Sequence, residues 1–363
     1  MPAPRHARAK VLAYATDKGG SSRRPRAYVL DDDLIEGRSR ELELPGAATA
    51  QLRRRWLLHE ETHEGMRVIG TCNGLICLCR GRGGGIVMFN PVTGEELAVD
   101  PPPPVARPGG SRRDEAASAF CFGYHPATGL YKILHVPRHP SEAFDAVHVL
   151  TLGEAAAASW REVPAPGSSC RYGFGLVAVL GVAYWVTKDA KRVVSFDLGD
   201  ERAVVVAELP VPMPLLPWLC YTCRLVDVGG GRLGFTVCRN YRHMTSKTEV
   251  FVLEDGGGER MVWIRRYVVL VNDDQEQQLA SPLVAHGEHL LTYSRRGCPQ
   301  AGRTVSALYV HRPREDRALR CGVVPVAARS PRTVVGEYDC DSVRVFSYVE
   351  TTESLLAYSC LAK

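Results

Sequence analysis

The stretch IVMFNPVTGEELAVDP, residues 86–101, decides how the rest of the chain reads. An apolar run meets Asn-Pro and Thr-Gly, two turn pairs, and a second short run ends in proline. Alone it is one hairpin, but it recurs. AYVLDDDLIEGRSRELELP (27–45), VHVLTLGEAAAASWREVP (147–164), VVSFDLGDERAVVVAELP (193–210), VFVLEDGGGERMVWIRRY (250–267) and ALYVHRPREDRALRCGVVP (307–325) repeat the pattern. The six copies start 46 to 61 residues apart. Self-similarity at such a period marks a repeat architecture.

A further strand precedes each copy: KVLAYATD (10–17), NGLICLCR (73–80), YKILHVPR (131–138), GVAYWVTK (181–188), GRLGFTVCR (231–239) and EHLLTYSRR (288–296). Five units carry one more before that: RVIGTC (67–72), SAFCFGYHP (118–126), GFGLVAVL (173–180), CYTCRLVDV (220–228) and PLVAHG (282–287). The first unit lacks it, and SVRVFSYVETT (342–352) near the C-terminus is spare. The expected fold is therefore all-β. It is a six-bladed β-propeller of four-stranded blades, with the first blade completed by the C-terminal strand. Closing the ring with strands from both ends removes an open edge. One short helical insertion is expected at 47–64, with a second helical stretch at 154–159. Residues 99–116, rich in proline, read as an exposed loop.

Composition excludes several classes. Hydrophobic residues at 45% and charged residues at 23% are those of an ordinary globular chain, not a disordered one. No run approaches a membrane span. The basic clusters Arg23–Arg26 and Arg53–Arg55 are short and flanked by acids, so neither reads as a nucleic-acid surface. The N-terminus lacks the apolar core of a secretory signal. Twelve cysteines without such a signal point to free thiols in a reducing compartment, and the expected location is cytoplasmic, nuclear or both. Cys220 and Cys223 form a lone C-x-x-C, whereas zinc needs a second pair. Cys77 and Cys79 alternate with Leu78 on a strand and should share one face.

The segment RVIGTCNGLICLCRGRGGGIVMFNPVTGEELAVDPPPP (67–104) resembles the opening of the plant F-box-associated domain family, in its grass-type members. FGYHPATGLYKIL (122–134), WREVPAP (160–166), GVAYWVT (181–187) and VVSFDL (193–198) continue the resemblance. It implies a non-catalytic protein-interaction module, the substrate-recognition part of a cullin-RING ubiquitin ligase receptor. The motif residues themselves have folding roles. Asn73-Gly74 is a tight-turn pair, Asn90-Pro91 and Thr93-Gly94 set the next hairpin, and Trp160 and Trp185 are large enough to wedge between blades. No F-box is recognisable. The nearest imitation, 29–56, lacks its leucine-rich helical period. Residues 1–363 are read as a single F-box-associated propeller domain. A Skp-type adaptor is expected as partner only if an F-box is supplied upstream or hidden in 29–56.

Nothing in the residues spells catalysis. Asp31–Asp33, Glu95-Glu96 and Asp273-Asp274 read as solvated turn carboxylates. His135, His148 and His311 alternate with apolar residues. The glycine clusters 83–85, 229–231 and 256–258 lack the G-K-[ST] of a phosphate loop, and no G-x-S-x-G occurs. The expectation is no enzyme, no metal and no cofactor, with no nucleic acid or membrane partner. The target is an unknown protein, held by the long loops at 99–116, 211–219 and 271–280. Pro212, Met213, Leu215, Leu216 and Trp218 form the candidate contact patch. The alternative is a glycan- or small-molecule-binding propeller unrelated to ubiquitination.

Overall fold

In a computed structural model the repeats fold into sheets arranged around an axis. The structure describes residues 10–16, 26–30, 39–42, 67–80, 85–103, 119–137, 143–153, 159–212, 221–239, 246–256, 261–271, 277–279, 285–286, 289–298, 303–316, 321–326, 333–339 and 342–358. Strands β1 (Lys10–Thr16), β2 (Arg26–Leu30) and β3 (Ser39–Leu42) open the first sheet. The second runs β4 (Arg67–Cys72), β5 (Leu75–Arg80), β6 (Gly85–Phe89) and β7 (Glu96–Val99). The third runs β8 (Ala119–His125), β9 (Leu130–Val136), β10 (Ala143–Thr151) and β11 (Arg161–Ser169). The fourth runs β12 (Val177–Val179), β13 (Val182–Val186), β14 (Arg192–Asp197) and β15 (Arg202–Glu208). The fifth begins β16 (Tyr221–Asp227), β17 (Leu233–Arg239), β18 (Ser246–Asp255) and β19 (Met261–Val271). The remaining strands are β20 (Gln277–Leu279), β21 (Ala285–His286), β22 (His289–Cys298), β23 (Arg303–His311), β24 (Arg314–Asp316), β25 (Cys321–Val326), β26 (Thr333–Asp339) and β27 (Ser342–Tyr348).

Each of the first five sheets contains an antiparallel set of four strands in blade order. The first gets its fourth strand from the far end of the chain. β27 pairs with β1 over its whole length, from Lys10 opposite Tyr348 to Thr16 opposite Ser342. The expected closure by the C-terminal strand is therefore present.

The expected uniform count of six four-stranded blades is corrected, because five sheets hold a regular blade and the last does not. In the sixth copy of the hairpin, 307–325, the two strands separate. β23 pairs with β26 instead. β25 leaves for the neighbouring sheet and pairs in parallel with β19, Tyr267 opposite Gly322. The cause is local. Arg314–Asp316, which should be turn, pairs back on Cys321–Val323 and folds its own small hairpin, turning β25 away from β23. On the other side, β20 and β21 both pair with β22.

Packing follows from the period of two along a strand. In β5, Leu75 and Cys77 enter a cluster with Tyr131, Ile133 and Leu150 of the third sheet. Ile76 and Leu78 enter another with Leu12, Tyr14 and Tyr348 of the first. Neighbouring blades thus share cores, and a middle strand is buried on both faces. Further clusters join the third sheet to the fourth, the fourth to the fifth, the fifth to Leu290 of the last, and the last back to the first. At roughly 1.5–3 kcal/mol for each fully buried aliphatic side chain, these shared cores hold the blades to one another. Nearest the axis, β27, β4, β8, β12 and β16 follow each other from sheet to sheet.

Among the described residues the helical elements are two 3-10 turns, Tyr172–Phe174 and Leu355–Tyr358, and no helix is long and apolar enough to cross a membrane. The expected helical insertion at 47–64 lies outside the described residues, as do 154–158.

Candidate functional site

The turns joining first to second and third to fourth strands lie at one end of the blades. Their residues are those the sequence singles out. Asn73 and Gly74 both have positive φ, 47° and 86°, as a two-residue hairpin of this twist requires. A Cβ on Gly74 would lie 2.5 Å from Thr351 Cγ2 and 2.6 Å from the Val349 carbonyl oxygen, so the chain after β27 lies directly on this turn. Fully buried Asn90 organises the next one. Its Oδ1 accepts from the Val92 amide at 2.9 Å, and its Nδ2 donates to the Glu353 carbonyl at 2.7 Å.

Glu95 departs from the expectation of a solvated turn carboxylate. It accepts from Ser354 Oγ at 2.9 Å and from the Leu355 amide at 2.6 Å. Leu355 is buried in the core between the second and third sheets. The carboxylate of Glu353 takes the hydroxyl of Tyr131 at 2.8 Å on one oxygen and the hydroxyl of Tyr358 on the other. The turns of two blades are thereby strapped down by residues 349–358. Sequence reading missed this strap. Its available signal was Ser354 and Leu355 directly after the closing strand, and nothing in one dimension says where they land.

The tryptophans behave as expected. Trp185 is fully buried between the third and fourth sheets, against Phe144 and Phe196. Its Nε1 donates to the Ser169 carbonyl at 3.1 Å. Trp160 is half-buried against the core of sheets two and three.

Between the third and fourth blades, Lys132, Arg161 and Glu201 satisfy one another. Lys132 is buried, and its Nζ lies 2.6 Å from Glu201 Oε1. Arg161 grips both oxygens of the same carboxylate from across the blade boundary. Burial opposes the charge on Glu201, but the bonds from Arg161 and Lys132 outweigh it and hold the carboxyl below its ordinary value. His135 and His148 face each other with Nδ1 atoms 3.1 Å apart. Burial, reinforced by the neighbouring His148, pulls His135 down to about 3. His311 is buried and bonded to Thr292 Oγ1 at 2.7 Å. All three alternating histidines are therefore core groups.

Cys77, Cys79 and Cys223 are buried, and burial pushes the thiols of Cys77 and Cys79 upward. Cys220 lies outside the described residues. Among the described residues no cluster of three or more His, Cys, Asp or Glu could hold a metal. Gly229, Gly230 and Gly231 form the expected hairpin loop, each at positive φ.

Of the candidate contact patch, Pro212 is exposed just beyond β15. Met213, Leu215, Leu216 and Trp218 lie outside the described residues, as do most of the loops at 99–116 and 211–219. Asp31–Asp33 and Asp273-Asp274 lie outside them too.

No curated protein matches the chain. Among solved structures, a nidogen/laminin complex aligns at 10% identity and TM-score 0.39, covering 93% of this chain and 98% of the other. A putative 6-phosphogluconolactonase from Bacteroides uniformis aligns at 10% identity and TM-score 0.41, covering 93% and 99%. The periplasmic gluconolactonase of Pseudomonas aeruginosa aligns at 12% identity and TM-score 0.40, covering 94% and 100%. Likeness at this level decides nothing about chemistry. The sequence itself is more informative: residues 50–293, more than half of the chain, match the F-box associated beta propeller domain, and the chain belongs to that family.

Proposed function

We propose that this propeller is a protein-recognition module, the target-binding part of an F-box-type receptor of a cullin-RING ubiquitin ligase. The observation that carries the reading is the family match over residues 50–293. The fold is compatible with it. Inter-blade cores hold the strands, the strap holds the turns, and loops on such a scaffold are free to vary and to bind. The chain's own role is to hold a protein target; joining the ligase falls to an F-box and a Skp-type adaptor. It is proposed to act without catalysis, in the cytoplasm or nucleus.

The test is reconstitution. The chain is produced with a Skp-type adaptor and, in parallel, with a known F-box joined ahead of it. The F-box fusion should enter the adaptor–cullin complex and direct ubiquitin transfer to a protein that the chain alone also binds. A chain that binds no protein under either condition, but binds a glycan or small molecule saturably, would overturn the reading.

A further inference from the structure

The outermost strand of each blade faces away from the axis, and an edge strand invites another strand unless something prevents it. Among the described residues, most of the outer edges carry such a device. β3 is four residues long and includes Arg40 and Glu41. β7 is equally short and opens on Glu96. β11 holds Pro164 and Pro166, which cannot donate to a ladder. β19 is covered by β25 from Tyr267 to Val271, and β24 beyond it is charged at all three positions. β26 is interrupted by Gly336 and carries Glu337 and Asp339.

β15, Arg-Ala-Val-Val-Val-Ala-Glu over Arg202–Glu208, is the exception. Its apolar run from Ala203 to Ala207 holds no proline, no glycine and no charge. It is the last strand of its sheet, and no strand among the described residues pairs with its outer side. Val204 is 51% exposed and Val205 49%. Neighbours on a strand point to opposite faces, so exposure of both marks an open edge and not one bare face. Ala203 reaches the core shared with the third sheet, while Val206 and Ala207 reach the core shared with the fifth. A bulge between Val205 and Ala207 bends the strand there, and the Glu208 carbonyl already serves Trp263 of the fifth blade. An added strand therefore registers on Val204 and Val205.

The two ends of β15 decide what fits. Arg202 and Glu208 are exposed, and among the described residues neither side chain has an ion-pair partner. Antiparallel pairing of two β15 strands about Val204 and Val205 lays the basic end of each alongside the acidic end of the other. Valine then meets valine near the twofold axis, a cross-strand contact that strands favour. A parallel copy would set like ends together. We propose that β15 is a self-association edge, to which a second copy of this chain adds antiparallel, joining two four-stranded blades into one continuous sheet with twofold symmetry. Seven residues a side bury less than the roughly 1,200 Å² of a standard interface. The dimer is therefore weak, with a Kd of about 10–100 μM. The pairing does not depend on the ligase reading, and its test needs neither target nor adaptor.

Sedimentation equilibrium on the full chain at fixed ionic strength tests this, with the 39.9 kDa monomer as reference. The mean mass should climb toward that of the dimer as the concentration passes about 100 μM. Val204→Lys places a charge on the exposed edge and two like charges near the axis, so Kd should rise at least about tenfold. Circular dichroism and the thermal midpoint should stay at their native values. Arg202→Glu or Glu208→Arg alone sets like charges together at both ends and should weaken association about fivefold. The double variant R202E/E208R restores opposite charges and should return Kd to within about twofold of the native value. That recovery separates a specific antiparallel pair from general stickiness. Monomer mass at every concentration up to about 500 μM, an unchanged Kd in V204K, or no recovery in the double variant would each overturn the proposal. A monomeric chain whose binding to a protein target is lost in V204K would assign the edge to that target, and self-pairing would fall with it.

Discussion

The indole Nε1 of Trp160 donates to the backbone carbonyl of Asp100 at 2.7 Å, joining the outer strand of the third blade to the end of the outer strand of the second. The same bond recurs two blades on. Trp263 Nε1, in the outer strand of the fifth blade, donates to the Glu208 carbonyl of the fourth at 2.7 Å. Trp160 and Trp263 stand at equivalent places in the sequence repeat, before Arg161-Glu162 and Ile264-Arg265. A rim latch is thus part of the repeat, and one indole both fills a seam and satisfies a carbonyl that an edge strand would leave open.

Replacing either tryptophan by phenylalanine keeps most of the packing and removes the donor. Each change should cost about 1–2 kcal/mol, read as a lower urea midpoint with an unchanged slope. The two latches lie in different seams, so the losses should add in the double variant. A strongly non-additive result would show that the seams are coupled.

Trp185 makes the contrasting case, because it is fully buried between two blades. Trp185→Ala opens a large cavity and strands the Ser169 carbonyl it now serves. The expected loss is about 3–5 kcal/mol, larger than for either rim latch. Thermal unfolding under one condition should give the order W185A, then W160F and W263F.

The strap predicts a specific effect of Gly74. Its φ of 86° disfavours any side chain, and a Cβ would strike Thr351 and the Val349 carbonyl. Gly74→Ala should therefore cost about 2 kcal/mol or more and loosen residues 349–358. Limited proteolysis would show cleavage near Leu355 before the blades open. Glu353→Gln, which weakens its bonds to Tyr131 and Tyr358, should show a milder form of the same cleavage.

The histidine pair sets a pH dependence. His135 titrates near 3 in the fold and near 6.5 when unfolded. Between these values the unfolded chain binds more protons, so stability rises with pH. The contribution is complete above about pH 6.5 and is lost as pH falls toward about 3. At pH 5 the loss is about 2 kcal/mol. His148, itself lowered by burial and opposed by Glu162, adds in the same direction. Other groups titrate too, so the informative quantity is the difference between the native chain and His135→Phe. The variant should lose less stability than the native chain between pH 7 and pH 5, measured by urea denaturation at each pH.

Much of the fold was legible in one dimension. Alternating apolar residues closed by Asn-Gly, Asn-Pro or Gly-rich turns are local signals, and each names a strand or hairpin wherever it falls. Repetition of the unit then names the ring, since a single blade cannot bury both of its faces. The spare strand at 342–352 identified the closure, because one unit lacked a strand and one strand lacked a unit. What the sequence could not decide is anything set by partners far apart in the chain. The strand β25 reads as the partner of β23 in its own repeat, yet it pairs in parallel with β19 of the neighbouring sheet, Tyr267 opposite Gly322. Glu95 reads as a solvated carboxylate until Ser354 and Leu355 arrive over it. Short-range sterics and side-chain periodicity determine the elements. Long-range pairing and shared burial determine which of their side chains meet.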